Sequence, residues 1–174
     1  SNRYNLNGMI RAEETYTDGE LSYETFYTYH DNGQLRMKGN QIWPELDFDG
    51  TITSWHKNGQ KENETYYSEG KLSGKGTWWY VKGQMSMELY SGKDGSFAGE
   101  ERHWFENGQL EGISTWKNGK SISFKSWHAN GAIHHDYIYP NGIKEGEYIR
   151  LDKHGKVYAK ATYENGKCIS GDCY

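Results

Sequence analysis

Seven histidines, a surplus of carboxylates and two cysteines are the side chains here with chemistry to offer. His30, His56 and His128 each stand three residues before a glycine of the series Gly33, Gly59 and Gly131, where other copies of the segment carry Tyr80, Phe105 and Asp152. If each copy supplies two strands, equivalent positions lie roughly 10 Å apart, whereas ligands of one zinc ion sit about 2 Å from it. The column therefore shares no metal. His134-His135-Asp136 is tighter, but consecutive strand residues point to opposite faces, so the three reach one ion only across a bulge. Glu100, Glu101, Glu111 and Glu145 are scattered as on a solvated surface, and no Ser or Cys sits in a nucleophile motif. Glycines with no helix after them hold no phosphate. The expectation is no enzyme, no cofactor and no metal.

Cys168 and Cys173 are too few for a disulfide framework or a four-thiolate zinc site. On one extended strand their Cα atoms stand about 16 Å apart, beyond bridging distance, whereas a turn at Ser170-Gly171 brings them within reach of each other. Cys168 also occupies a position held elsewhere by Leu21, Leu72 and Phe97, which makes it a small hydrophobe in register.

The elements that position these residues come from a repeat. The segments YHDNGQL from Tyr29, WHKNGQK from Trp55, WYVKGQM from Trp79, WFENGQL from Trp104 and WHANGAI from Trp127 share one pattern, with degenerate copies at Tyr4 and Leu151. Their glycines, Gly8, Gly33, Gly59, Gly83, Gly108, Gly131 and Gly155, are spaced by 23 to 26 residues. A second series, Gly19, Gly70, Gly95, Gly119, Gly142 and Gly166, interleaves with the first and mostly follows Asp, Asn or Glu. Such pairs supply the positive φ angles of hairpin turns, so each interval holds one strand and its turn. Tyr23 to Tyr29 is dense in aromatic and β-branched residues, and no capped segment with helical periodicity appears. The fold class is all-β: an elongated, twisted antiparallel sheet of tandem β-hairpins. Residues 1–174 form a single array of about seven two-stranded units, irregular around 39–52, where Trp43-Pro44 interrupts the rhythm before Phe48. The stretch Tyr90 to Gly95 is a milder irregularity.

Composition agrees. Hydrophobic residues are 34% of the chain and aromatics alone 16%, so broad rings with polar tips do most of the burying, which suits a thin sheet. A net charge of −4 from interspersed charges leaves no footprint for nucleic acid and disfavours anionic lipid. No window is apolar enough to span a bilayer as a helix. The chain opens on Ser1 rather than Met and reads as trimmed, leaving compartment open between cytoplasm and export.

Glycine columns with Gly76-Thr77-Trp78 and Gly146-Glu147-Tyr148 entering aromatic strands resemble the MORN repeat, in the variant common in bacterial proteins with Tyr-x-x-Asn-Gly-x-Leu units. The resemblance covers essentially the whole chain. Leu151 and His154-Gly155 depart from the pattern and mark the last unit as a cap. It implies a non-catalytic string of hairpins serving as a scaffold for protein contacts, membrane association in eukaryotic relatives, and antitoxin-like or immunity-like roles against a secreted toxin in bacterial ones. Of the two recurrent columns, Tyr29, Trp55, Trp79, Trp104 and Trp127 read as a stacked ladder packed strand on strand. The partner-binding candidates are then His30, His56, Tyr80, Phe105 and His128 on the opposite face, with Trp43 and Phe48 of the irregular unit. The alternative is a carbohydrate or cell-envelope module stacking sugars on Trp78-Trp79-Tyr80, and a lesser one is lipid association.

Overall fold

A computed structural model describes residues 1–45 and 47–173. Sixteen strands and one 3-10 turn make up its regular structure, with no α-helix among the described residues. One compact unit, residues 1–85 with 91–95, contains β1 (Asn2–Tyr4), β2 (Ile10–Thr17), β3 (Glu20–Tyr29), β4 (Leu35–Ile42), β5 (Asp47–Phe48), β6 (Gly50–Trp55), β7 (Lys61–Ser68) and β8 (Lys71–Trp79). The other, residues 86–90 with 96–174, contains most of β9 (Met85–Ser91), then β10 (Gly99–Trp104), β11 (Leu110–Lys117), β12 (Lys120–Trp127), β13 (Ile133–Ile138), β14 (Gly146–Leu151), β15 (Val157–Glu164) and β16 (Lys167–Gly171). In each unit every strand pairs antiparallel with its successor, except that β5 sits on β4 beside the β4–β6 pairing. This is the all-β chain of hairpins that the glycine spacing implies.

The two glycine series make different turns. All seven glycines of the first series have φ between 80° and 89°. In the Gly33 copy, His30 N donates to Gln34 O at 2.8 Å and Gly33 N to His30 O at 2.9 Å, closing a loop whose one left-handed residue is the glycine. A side chain at Gly131 meets nothing within 4 Å, so the whole penalty there is conformational. Gly131→Val is expected to destabilise by about 1–2 kcal/mol, because a β-branched residue tolerates that φ poorly. An unchanged urea midpoint would refute the turn's dependence on glycine.

At the opposite strand ends, tight and wide connections alternate. Asp18-Gly19, Glu69-Gly70, Asn118-Gly119 and Asn165-Gly166 are two-residue turns with both φ values positive, as a type I′ hairpin requires. Between them come wider connections, whose described residues are 43–45 with 47–49 (including β5), 92–98 and 139–145. In each case the glycine of the following tight turn donates its N–H to the preceding loop: Gly70 N to Phe48 O at 3.0 Å, Gly119 N to Phe97 O at 3.2 Å and Gly166 N to Lys144 O at 3.0 Å. Of the three, the first alone holds a short strand, β5, and a cis peptide, and the third holds the 3-10 turn Pro140–Gly142. Gly95 and Gly142 belong to the wide class although their Asp-Gly and Asn-Gly sequences resemble tight turns.

One face of each unit is packed, with large and small residues alternating across strands. In the first unit Ala12 stands opposite Phe26 and Phe26 opposite Gly39, while Ile52 stands opposite Thr65 and Thr65 opposite Gly76. In the second, Phe124 faces Tyr137 and Tyr148 faces Ala161, and the Tyr137 and Tyr148 rings lie 4.6 Å apart. Tyr148 is 1% exposed, and its hydroxyl donates to Ile138 O at 2.9 Å, satisfying the polar tip of a buried ring.

The cysteines correct the extended-strand reading. Gly171, at φ 83°, turns the chain so that the Cα atoms of Cys168 and Cys173 stand 5.7 Å apart and the pair forms a disulfide. Cys168 keeps its expected register opposite Tyr163 and packs against the core of the second unit.

Candidate functional site

Strand alternation decides what the first-series turns present. In β12, Phe124 packs with the core while Lys125 and Trp127 face away, and the Lys125 ammonium lies 5.9 Å from the Trp127 ring centre. Tyr29, Trp55, Trp79, Trp104 and Trp127 are all half-buried, because an open sheet covers an aromatic ring only with its neighbours in the ladder. In the second unit the partners opposite them are apolar: Trp104 faces Leu110, Trp127 faces Ile133 and Leu151 faces Val157. Ile133 and Val157 are 38% and 45% exposed, so a stripe of aromatic and aliphatic pairs runs along this face. The first unit has the same pattern in Tyr29 opposite Leu35, but Trp55 faces Lys61.

The adjacent column behaves differently. His30 Nε2 lies 2.7 Å from Trp55 O, His56 Nε2 2.9 Å from Trp79 O, and His128 Nε2 2.7 Å from Leu151 O. A carbonyl only accepts, so each Nε2 carries the proton and each ring latches its turn to the next copy. Asn32, Asn58 and Asn130 add parallel bonds to Lys57 O, Val81 O and Lys153 O. Each latch contributes about 1 kcal/mol. These histidines hold neighbouring hairpins together, which draws on the hydrogen-bonding capacity a partner would use. Tyr80 and Phe105 stand half-buried at the equivalent positions. Asp152 instead accepts from His154 N and Lys156 N within its own turn.

Trp43 and Phe48 lie in the first wide loop, and Leu46 between them lies outside the described residues. The Trp43-Pro44 peptide is cis. Phe48 wedges between Phe26 and Tyr67, at ring-centre distances of 5.8 and 5.4 Å, yet remains 38% exposed. Phe97 repeats the arrangement against Trp116 at 5.3 Å.

One titratable cluster sits at the bulge that follows the first-series turns. Ser126 pairs with His135 but Trp127 pairs with Ile133, so His134 is the extra residue of a bulge and shares a side with His135. Their ring centres are 3.8 Å apart, and His128 lies 4.3 Å from His134. His134 Nε2 meets Tyr158 Oη at 3.2 Å and His135 Nδ1 meets Ser126 Oγ at 2.9 Å. No group of three His, Cys, Asp or Glu among the described residues is arranged to hold a metal ion. Burial, then the neighbouring His128 and Arg150, lowers the His134 pKa. Burial, then His134, Arg150 and His128, pushes His135 down to about 4. Both folded values lie below the unfolded one, so the folded state binds fewer protons. The stability they confer is complete above the ordinary imidazole value and is lost as pH falls from about 6.5 towards 4. Solvent at the half-buried rings screens part of the shift, leaving a loss on the order of 2 kcal/mol. Urea midpoints at pH 7 and pH 5 should differ accordingly, and the double variant His134→Gln/His135→Gln should flatten the difference. An equal slope in the variant would contradict this origin.

The fold and the two columns give the comparisons their meaning. Residues 25–41, 98–118 and 144–165 match the MORN repeat variant, and each match spans one hairpin around a first-series glycine, Gly33, Gly108 or Gly155. Three segments of the chain are thus similar to the MORN repeat variant. MORN repeats are non-enzymatic scaffolds generally associated with protein or membrane-lipid binding. A search of curated proteins finds no match. The matched segments contain the pairs Trp104–Leu110 and Leu151–Val157, so part of the surface stripe lies within them.

The surface around the third tight turn, Asn118-Gly119, gives no signal in the sequence. Lys117, Lys120, Ile122 and Ile138 border a cleft of about 550 Å³, yet nothing separates lysines flanking a turn from ordinary solvated surface.

Proposed function

We propose that this chain is a protein-binding scaffold whose partner lies on the stripe formed by Trp104, Leu110, Trp127, Ile133, Leu151 and Val157. The observation that carries the reading is a row of apolar cross-strand pairs on the face away from the core, half-buried Trp104, Trp127 and Leu151 opposite half-buried Leu110 and exposed Ile133 and Val157. Rigid aromatic anchors on a preformed sheet lose little entropy on binding, and hot spots at interfaces are rich in Trp. Phe105 stands next to Trp104 in the chain and supplies a further anchor. Within this reading the partner is a toxin and the chain its antitoxin or immunity protein, in line with the described roles of the bacterial variant that its Asn-Gly units resemble.

The test is co-purification of the tagged full chain from its source cells. One stoichiometric protein should accompany it, and Phe105→Ser should reduce the yield of that protein about tenfold while leaving the circular dichroism spectrum unchanged. Unaltered yield would remove that residue from the surface. Co-expression should suppress the partner's toxicity, and a harmless partner would contradict the immunity role. Retention on envelope polysaccharide with Trp fluorescence quenching, and no protein partner, would instead support the sugar-stacking alternative.

A further inference from the structure

Across the four tight turns, the residues that flank the two left-handed positions pair directly: Thr17 with Glu20, Ser68 with Lys71, Lys117 with Lys120 and Glu164 with Lys167. Only the third sets two like charges opposite each other, an arrangement that destabilises a hairpin. Neither ammonium has a hydrogen-bond or ion-pair partner among the described residues. The Lys120 stem is held against the third wide loop, its Cβ 3.2 Å from where a Gly142 side chain would begin, which fixes the direction of the charge.

Both lysines border a cleft of about 550 Å³ whose remaining wall includes Ile122, Ile138, Tyr139 and Pro140. Ile138 is 69% exposed, more than any other aliphatic residue on a described strand. Tyr139 N donates to Ile122 O at 2.7 Å, so the two walls are tied by backbone and the cleft is preformed.

We infer that this cleft is a docking site for a peptide segment in which an acidic residue adjoins an aliphatic or aromatic one. The carboxylate bridges Lys117 and Lys120 and relieves their repulsion, while the apolar neighbour covers Ile138 and Ile122. The inference rests on the protein-binding reading and adds a second contact to it. A membrane surface fits less well, because two lysines on a chain of net charge −4 fall short of the basic clusters that hold anionic lipid.

The experiment pans a random dodecapeptide phage library on the full chain and measures the enriched peptides by fluorescence anisotropy. Asp or Glu next to an apolar residue should dominate the enriched set. Affinity should fall about tenfold or more in Lys120→Glu, which replaces a like-charge pair with an opposite-charge pair and so keeps the hairpin, and in Ile138→Ser. It should not change in Trp127→Ala. Enrichment without acidic residues, no enrichment, or affinity indifferent to Lys120→Glu would overturn the site. Peptides lost in Trp127→Ala but retained in Lys120→Glu would sink the cleft and leave the scaffold reading standing. Phosphatidylserine vesicles that bind the wild type and not Lys120→Glu would assign the lysines to lipid and overturn the peptide.

Discussion

Gly39→Val is expected to lower the stability of the chain by about 3 kcal/mol, near the top of the range for overpacking a filled core. Gly39 has ordinary backbone angles, so the reason differs from that at the turn glycines. A Cβ built there would stand 2.2 Å from Ile52 Cδ1 and 2.9 Å from Phe26 Cζ. Phe26 lies opposite Gly39 and covers it, and Ile52 reaches over it from the next strand, so the glycine is the small member of a large-small row. The clash is specific enough to be tested by rescue. Since Ile52 Cδ1 is the nearest atom, Ile52→Val removes it, and the loss in Gly39→Ala should be smaller on that background. Urea unfolding followed by Trp fluorescence reads both quantities. A loss below about 0.5 kcal/mol, or strictly additive effects, would contradict the packing.

The double variant Trp104→Ala/Trp127→Ala is expected to weaken partner binding about a hundredfold, close to 2.7 kcal/mol. Each indole is half-buried and faces an aliphatic partner, Leu110 or Ile133, so truncation removes the broadest apolar surface the stripe offers. The comparison with His30→Gln/His56→Gln is informative. Those rings latch successive hairpins through Trp55 O and Trp79 O, and their loss should lower the melting temperature more than it alters affinity. Titration of the purified partner by calorimetry separates the two effects. Equal affinity in the Trp variant would move the interface elsewhere.

How much of this is legible in the sequence follows from whether each requirement is local. The first-series turns can be read because a positive φ at Gly33 or Gly131 depends on the residue itself and its Asn neighbour. The alternation of tight and wide connections cannot, since Asp94-Gly95 and Asn141-Gly142 carry the same kinds of dipeptide as true two-residue turns. What separates them is the path of the chain after the glycine, where the loop folds back toward the next tight turn through Phe97 O or Lys144 O. Gly39 and Gly76 are silent for a similar reason: their need for a bare Cα arises from side chains that cover them, Ile52 and Phe26 in one case and Trp78 and Thr65 in the other. His134 and His135 break the alternation rule because a bulge inserts one residue three positions after the first-series glycine, as it does at Arg36, Glu62, Glu111 and Tyr158, and the register that reveals it exists only in the paired strands. The Trp column is recognisable as a column, but recurrence fixes register and does not fix what covers it. At the C-terminal end the bridge depends on a turn at Ser170-Gly171 that the sequence leaves open.

Hydrogen exchange of the full chain, free and bound to the partner it co-purifies with, tests the central claim most directly. Protection gained on binding should concentrate in β10 to β15 at the strand ends bearing Trp104, Trp127 and Leu151, with exchange at the opposite ends changing only around Lys117 to Lys120. Protection confined to β2 to β8, or spread evenly over both strand ends, would contradict a contact surface built on this stripe.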